Sequence, residues 1–175
     1  MIYFDNGATT FPKPPCMLAA MTECLREYCG NPGRSGHFLS IKTGQGIYET
    51  RKELAELFCI EDASQILFTG NATEALNLGI KGVLKRGDHV ITTAMEHNSV
   101  LRPLKALEKQ GIDTTILKCS AEGFLDPQNF KNSIKKNTKL IVCTHASNVT
   151  GTILPGAEIG KIARNAGVLF LLDGA

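Results

Sequence analysis

Short apolar runs alternate with segments of helical periodicity over the last two thirds of the chain. Each run has four or five residues and is followed by a longer amphipathic stretch. The runs comprise residues 65–69, 89–93, 114–117, 140–144 and 168–172. Strands that are apolar throughout and separated by helices predict an α/β fold with a mostly parallel sheet covered by helices on both faces, a three-layer sandwich.

Capping residues mark the boundaries of the predicted helices. The sequence Lys85-Arg86-Gly87 predicts the end of a helix over 73–84, and Gly111 predicts the end of a helix over 98–110. Asp126-Pro127 predicts the start of another helix, with Asp as N-cap and Pro as the first helical residue. The remaining predicted helices cover residues 16–28, 43–58 and 155–165.

The first part of the chain has a different pattern. Residues 1–10 predict an extended lead-in, the Pro-rich sequence that follows opposes helix formation, and residues 30–36 predict a Gly- and Pro-rich loop. We assign residues 1–15 to an extended segment and residues 16–175 to the α/β domain. The chain ends on an apolar run and Asp173-Gly174-Ala175. Because domains rarely stop at the tip of a central strand, we expect a longer protein.

Composition excludes several classes of function. A net charge of +2 is too near neutral for a nucleic-acid-binding surface, and the basic stretch 131–139 is interpreted as a solvated helix end. The six cysteines show no C-x-x-C spacing, so we expect no metal site and free thiols in a reducing cytoplasm. No secretory signal and no apolar run near the ~20 residues that span a bilayer is visible, so we expect no membrane partner.

Candidate chemistry begins at the turn Gly70-Asn71-Ala72-Thr73-Glu74, between the first core run and its helix. A Gly turn at the start of a helix presents free backbone N–H groups at the positive end of the helix, where anions bind. Thr73 adds a hydroxyl group. The pattern is neither a Walker loop nor G-x-G-x-x-G, which argues against nucleotide binding. The alternative is that Asn71 or Thr73 only caps the helix.

Polar residues also follow the later runs. His97 follows the second run, where an imidazole can stack on an aromatic ligand, and Ser99 can cap the next helix. Asn148 follows the fourth run and can both donate and accept hydrogen bonds, although an Asn/Gly turn is the alternative. Asp173 follows the fifth run, and its carboxylate needs a partner if it is buried. An aspartate on a pyridine nitrogen is known from pyridoxal phosphate sites, whereas a helix N-cap is the alternative. All these groups fall on one edge of the predicted sheet.

Six segments in order resemble the class V aminotransferase family of fold-type I pyridoxal 5'-phosphate (PLP) enzymes, and within it the cysteine desulfurase and selenocysteine lyase branch. The resemblance extends along the whole chain and implies the N-terminal part of the large PLP-binding domain. The segments are Phe4-Asp5-Asn6-Gly7-Ala8-Thr9-Thr10, Asn31-Pro32-Gly33-Arg34-Ser35-Gly36-His37, Gly70-Asn71-Ala72-Thr73-Glu74-Ala75-Leu76-Asn77, Glu96-His97-Asn98-Ser99, His145-Ala146-Ser147-Asn148-Val149-Thr150-Gly151 and Leu172-Asp173-Gly174-Ala175.

The resemblance implies a role for each matching residue. Ala72 and Thr73 would hold the cofactor phosphate, and His97 would stack on the ring as the catalytic histidine. Asp173 would pair with the ring nitrogen. Asn148 would lie near the ring hydroxyl or the substrate carboxylate. The substrate entrance would be lined by Gly7 and Ala8.

The resemblance also implies an activity. The parent enzyme would be a homodimer that converts L-cysteine to L-alanine through an enzyme persulfide, with the sulfur acceptor protein left open. The family's Schiff-base lysine, persulfide-forming cysteine and substrate-clamping arginine would follow residue 175, so we expect the 175 residues alone to be inactive. A class V aminotransferase or a selenocysteine lyase is one alternative. A non-catalytic α/β module that binds a phosphorylated ligand or a partner chain is the other.

Overall fold

The computed structural model describes residues 2–34 and 36–175. Met1 and Ser35 lie outside the described residues, so the predictions for the chain start and for the 30–36 loop are not assessed at those two positions. The chain divides into two compact units, one that ends at Phe68 and one that runs from Thr69 to Ala175. This division concerns compactness alone, and the predicted assignment of residues 16–175 to one domain stays a prediction.

The first unit is built on two helices. Helix α1 covers Pro15–Glu27, with a proline in its first turn, where the missing N–H donor would have no intrahelical acceptor. Helix α2 covers Phe38–Leu57 and starts earlier than predicted, because His37 accepts a hydrogen bond from the N–H of Ser40 and acts as N-cap. The predicted lead-in is wrong near Asp5, since Ala8 N and Thr9 N donate to its carbonyl oxygen and form a turn.

The second unit contains a parallel sheet. Its strands are β1 (His89–Thr93), β2 (Asp113–Leu117), β3 (Thr138–Thr144) and β4 (Leu169–Asp173). Within the described residues the strand order is β2-β1-β3-β4, and each neighbouring pair is parallel. Four of the five predicted strands and the parallel arrangement are therefore confirmed.

Helices cover both faces of this sheet, because side chains of a strand alternate between faces. The helices are α3 (Ala72–Val83), α4 (Asn98–Glu108), α5 (Gln128–Ser133) and α6 (Gly156–Asn165). Val90 and Val142 pack with α3 and α4 in one buried cluster. Ile91 and Ile141 pack with α5 and α6 in another. The predicted three-layer sandwich is confirmed.

The predicted strand over residues 65–69 is wrong. Ala63–Gln65 forms a 3-10 helix, and the residues after it pair with no strand in the described part of the chain. Leu67 and Phe68 are exposed. A strand exists only through hydrogen bonds to a neighbour, which apolar composition alone does not specify. Of the helices in residues 2–34 and 36–175, none is both long and apolar enough to span a membrane.

A polar rim at the carboxyl ends of the strands

The carboxyl ends of three adjacent strands meet at one edge of the sheet. Thr93 ends β1, Thr144 ends β3 and Asp173 ends β4, and Thr144 is in register with Asp173. The N–H of His145 donates to the carbonyl oxygen of Asp173 at 2.7 Å, which ties the loop after β3 to the end of β4. We call this edge, with the loops that leave it, the polar rim.

Helix α3 begins at the Gly70–Glu74 turn. Asn71 is its N-cap, since Asn71 Oδ1 accepts from Glu74 N at 2.9 Å, and Glu74 Oε2 accepts from Gly70 N at 2.7 Å. The N–H groups of Ala72 and Thr73 have no acceptor among the described residues, as expected for the first turn of a helix. The cap therefore leaves these two N–H groups available, and anion binding at this turn stays a prediction.

The chain direction places this helix end on the side of the polar rim. Helix α3 ends at Val83, and only the segment 84–88 separates it from the start of β1. Its last turn therefore lies toward the amino ends of the strands. The middle of α3 crosses β4, where a Cβ on Gly79 would lie 3.3 Å from Leu171 Cδ1. Its first turn therefore points toward the carboxyl ends.

His97 lies after β1 and caps α4 with its own ring. Nδ1 accepts from Ser99 N at 3.2 Å and is 2.8 Å from Ser99 Oγ. Because Nδ1 accepts from a backbone N–H, the neutral ring carries its proton on Nε2. The prediction that Ser99 caps α4 is wrong, since the cap is His97, and Ser99 is its buried partner. The ring is exposed at the rim and fixed in orientation by these two contacts.

Asn148 lies in a tight loop after β3. Ser147 Oγ accepts from the N–H groups of Val149 and Thr150, both at 3.3 Å, and Gly151 N donates to Ser147 O at 2.9 Å. These contacts hold the turn, while the Asn148 side chain is exposed and has no hydrogen-bond partner in the part of the chain that the structure describes. The turn interpretation is confirmed, and the binding role of Asn148 stays a prediction.

Asp173 is buried at the end of β4, with 7% of its surface exposed. Its Oδ1 accepts from the N–H of Ala175 at 3.1 Å. This is the contact of an aspartate with the residue two positions later, as in a turn or the start of a helix. Asp173 is thus a buried carboxyl group at the rim, and its pairing with a ring nitrogen stays a prediction.

Glu96 is a second buried carboxyl group at the rim, and its sequence motif predicted no separate role for it. Its Oε1 accepts from Thr93 Oγ1 at 2.6 Å and from Thr144 N at 3.0 Å. Burial, together with the nearby charge of Asp173, raises the pKa of Glu96 to about 7, although the two hydrogen bonds act in the opposite direction. An acidic residue three positions after a buried strand was the available signal.

The other predicted positions are elsewhere in the chain. Gly7 and Ala8 lie in the turn of the first unit, and their predicted contact with substrate stays a prediction. In residues 2–34 and 36–175, no group of three or more His, Cys, Asp and Glu side chains is arranged to hold a metal ion. All six cysteines are free, and burial raises the pKa of Cys143 to about 12.

Comparisons with known proteins follow the same motifs. The family model described as aminotransferase class-V matches residues 2–175. The chain is 39% identical to a cysteine desulfurase IscS of Anaeromyxobacter sp. (strain K), covering 98% of this chain and 43% of that protein.

Solved structures agree with these sequence matches. An apo cysteine desulfurase from Thermococcus onnurineus NA1 is 36% identical, with a TM-score of 0.91 over 99% of this chain and 44% of that one. SspA in complex with cysteine is 31% identical, with a TM-score of 0.90 over 100% of this chain and 51% of that one. The chain therefore spans about half or less of the length of the proteins that it matches.

Proposed function

Because the chain belongs to the aminotransferase class-V family, we propose that its polar rim binds PLP within an enzyme that removes sulfur from L-cysteine. The observation that carries this proposal is the set of chemically distinct groups along one rim: an open helix N-terminus, an exposed imidazole and a buried carboxylate. They match the phosphate, the ring face and the ring nitrogen of a phosphorylated pyridine. The names of the similar proteins supply the substrate class.

The phosphate would bind at the first turn of α3. The N–H groups of Ala72 and Thr73 lie at the start of the helix with no acceptor among the described residues, and the Thr73 hydroxyl is exposed beside them. The helix dipole favours a negative charge at this position. Asn71 does not compete with the phosphate, because its side chain already accepts from Glu74 N.

His97 would contact the face of the ring. Its orientation is set by the hydrogen bonds from Ser99 to Nδ1, so the ring plane is fixed before a ligand arrives. The Nε2–H remains available as a donor toward the rim. A preformed orientation lowers the entropy lost on binding.

Asp173 would accept from the protonated ring nitrogen. Its low exposure removes most of the competition from water, which strengthens an ion pair at this position. When bound, PLP supplies an electron sink for the bonds of the substrate amino acid. A negative Asp173 keeps the ring nitrogen protonated and so supports that role.

Asn148, Gly7 and Ala8 would contact the substrate or the ring substituents. The amide of Asn148 is exposed beside the rim and has both donor and acceptor groups available for a carboxylate or a ring hydroxyl. A homodimer, a sulfur acceptor protein and a cytoplasmic location are part of the same proposal, by similarity to the family.

The test uses the full-length protein that contains this chain. We expect purified protein to bind PLP with a visible absorbance band. With dithiothreitol present to reduce the enzyme persulfide, it should produce alanine and sulfide from L-cysteine. T73V and D173N should each weaken PLP binding, since each removes one predicted contact. Transamination of cysteine without sulfide, or no binding of PLP, would contradict the proposal.

A further inference from the structure

Glu96 connects two strand ends that are far apart in the sequence. The residue lies in the loop after β1, and its Oε1 accepts from Thr93 at the end of the same strand. The same oxygen accepts from the backbone N–H of Thr144, which is 48 positions further along the chain and ends β3. β1 and β3 are the two central strands of the order β2-β1-β3-β4. The carboxyl group of Glu96 therefore links the ends of the two central strands at the polar rim.

The surroundings of Glu96 are unfavourable for a negative charge. Its side chain is 7% exposed, and Oε2 is fully buried with no hydrogen-bond partner among the described residues. The titratable groups that interact with it are Asp173 of β4, Cys143 of β3 and Cys119 after β2. These three are acids, so none supplies a compensating positive charge.

We propose that Glu96 is a positioning residue of the rim: in its protonated form it joins the carboxyl ends of β1 and β3. A neutral carboxylic acid keeps Oε1 as an acceptor for Thr93 and Thr144. A buried anion whose second oxygen has no hydrogen-bond partner among the described residues is costly, so the carboxyl group of Glu96 retains its proton. The link to PLP rests on the proposed function.

Infrared spectroscopy tests the protonation directly. A protonated carboxylic acid has a C=O stretch separate from the carboxylate bands, and the difference between wild type and E96Q isolates the signal of Glu96. We expect this acid band at pH 6 and its loss as the pH rises through neutrality. Absence of the Glu96 acid band at pH 6 would overturn the proposal.

Variants test the positioning role through equilibrium binding of PLP to the full-length apoprotein. E96Q keeps a neutral acceptor at Oε1, so its affinity should stay within about threefold of wild type. E96A removes both hydrogen bonds and should bind about tenfold more weakly. Equal affinity of E96A and wild type would overturn the proposal, as would a loss in E96Q as large as in E96A.

Two threonine variants test the same role if E96A does not fold. T93V removes one donor to Glu96 and should weaken binding severalfold. T92V makes the same chemical change one position earlier, where the buried hydroxyl has no partner in the described chain, and should leave binding unchanged. Equal affinities of T93V and T92V would overturn the positioning role. If wild type binds no PLP, the proposed function fails, while the infrared result still decides the protonation of Glu96.

Discussion

The carboxyl oxygen Oε1 of Glu96 lies 3.0 Å from the backbone nitrogen of Thr144 and accepts its hydrogen bond. This contact joins a loop after β1 to the last residue of β3, and it is buried on both sides. A buried backbone N–H at the end of a strand needs an acceptor, because leaving it unpaired costs free energy. Here the acceptor is a side chain rather than another strand.

T93V should destabilise the protein by about 1–3 kcal/mol, because it leaves a buried carboxyl group with one hydrogen bond fewer. Thr93 is fully buried and its hydroxyl donates to Glu96 at 2.6 Å. T92V should leave the free energy of unfolding unchanged or raise it slightly, because the hydroxyl of Thr92 already has no partner among the described residues. Urea unfolding of both variants measures the difference. Equal free energies of unfolding would contradict a stabilising hydrogen bond from Thr93 to Glu96.

The stability of wild type should fall relative to E96Q as the pH rises from about 4.5 to about 7. The folded protein raises the pKa of Glu96 from its ordinary value of 4.5 to about 7, so the folded state binds the proton more tightly than the unfolded state. This contribution is fully present below about pH 4.5 and is lost above about pH 7. The protonation of Glu96 contributes about 3 kcal/mol to the free energy of unfolding at low pH.

Unfolding free energies of wild type and E96Q between pH 4 and pH 8 measure this effect. His89 titrates in the same range with the opposite sign, since burial lowers its pKa, but its contribution is common to both proteins and cancels in the difference. A difference between the two proteins that does not change with pH would contradict the prediction.

N71A and T73V should separate the stability of α3 from its anion binding. N71A removes the N-cap acceptor of Glu74 N and should cost about 1 kcal/mol of stability. T73V removes an exposed hydroxyl and should weaken phosphate or PLP binding with a much smaller change in stability. Thermal unfolding and equilibrium binding are measured for both. If both variants retain anion binding, this turn is excluded as the phosphate site.

H97N and H97F should separate capping from stacking at His97. Asparagine is a good N-cap, so H97N should retain stability but lose the contact of the ring with the cofactor. Phenylalanine keeps an aromatic face but accepts no hydrogen bond from Ser99, so H97F should lose about 1 kcal/mol of stability. The absorbance band of bound PLP and thermal unfolding are the two readouts, and wild-type PLP binding by H97N would exclude a stacking role.

The cysteines should differ strongly in reactivity toward a thiol-alkylating reagent. Cys16, Cys29 and Cys59 are exposed and should react first in the native protein. Cys143 is fully buried, and burial raises its pKa to about 12, so almost no thiolate is available at neutral pH. Mass spectrometry of labelled peptides measures the order, with unfolded protein as the control in which all sites react. Early labelling of Cys143 would contradict the structure.

The amino-acid pattern alone determined the architecture of the second unit. Apolar runs at 89–93, 114–117, 140–144 and 168–172 became parallel strands, because a fully apolar run is stable only where both faces of a sheet are covered. The caps of α3 and the buried Asp173 were also predictable, since each depends on residues next to it in the chain.

The tertiary structure alone decided three other features. The run 65–69 is not a strand, since pairing requires a partner that is distant in sequence. His97 rather than Ser99 caps α4, because the ring reaches the backbone N–H in the folded loop. The pKa of Glu96 is raised because the folded sheet buries its carboxyl group and brings Asp173, from another strand, close to it. Hydrogen-bond partners and burial across strands are set by the packing of the whole sheet, and local sequence carries no record of them.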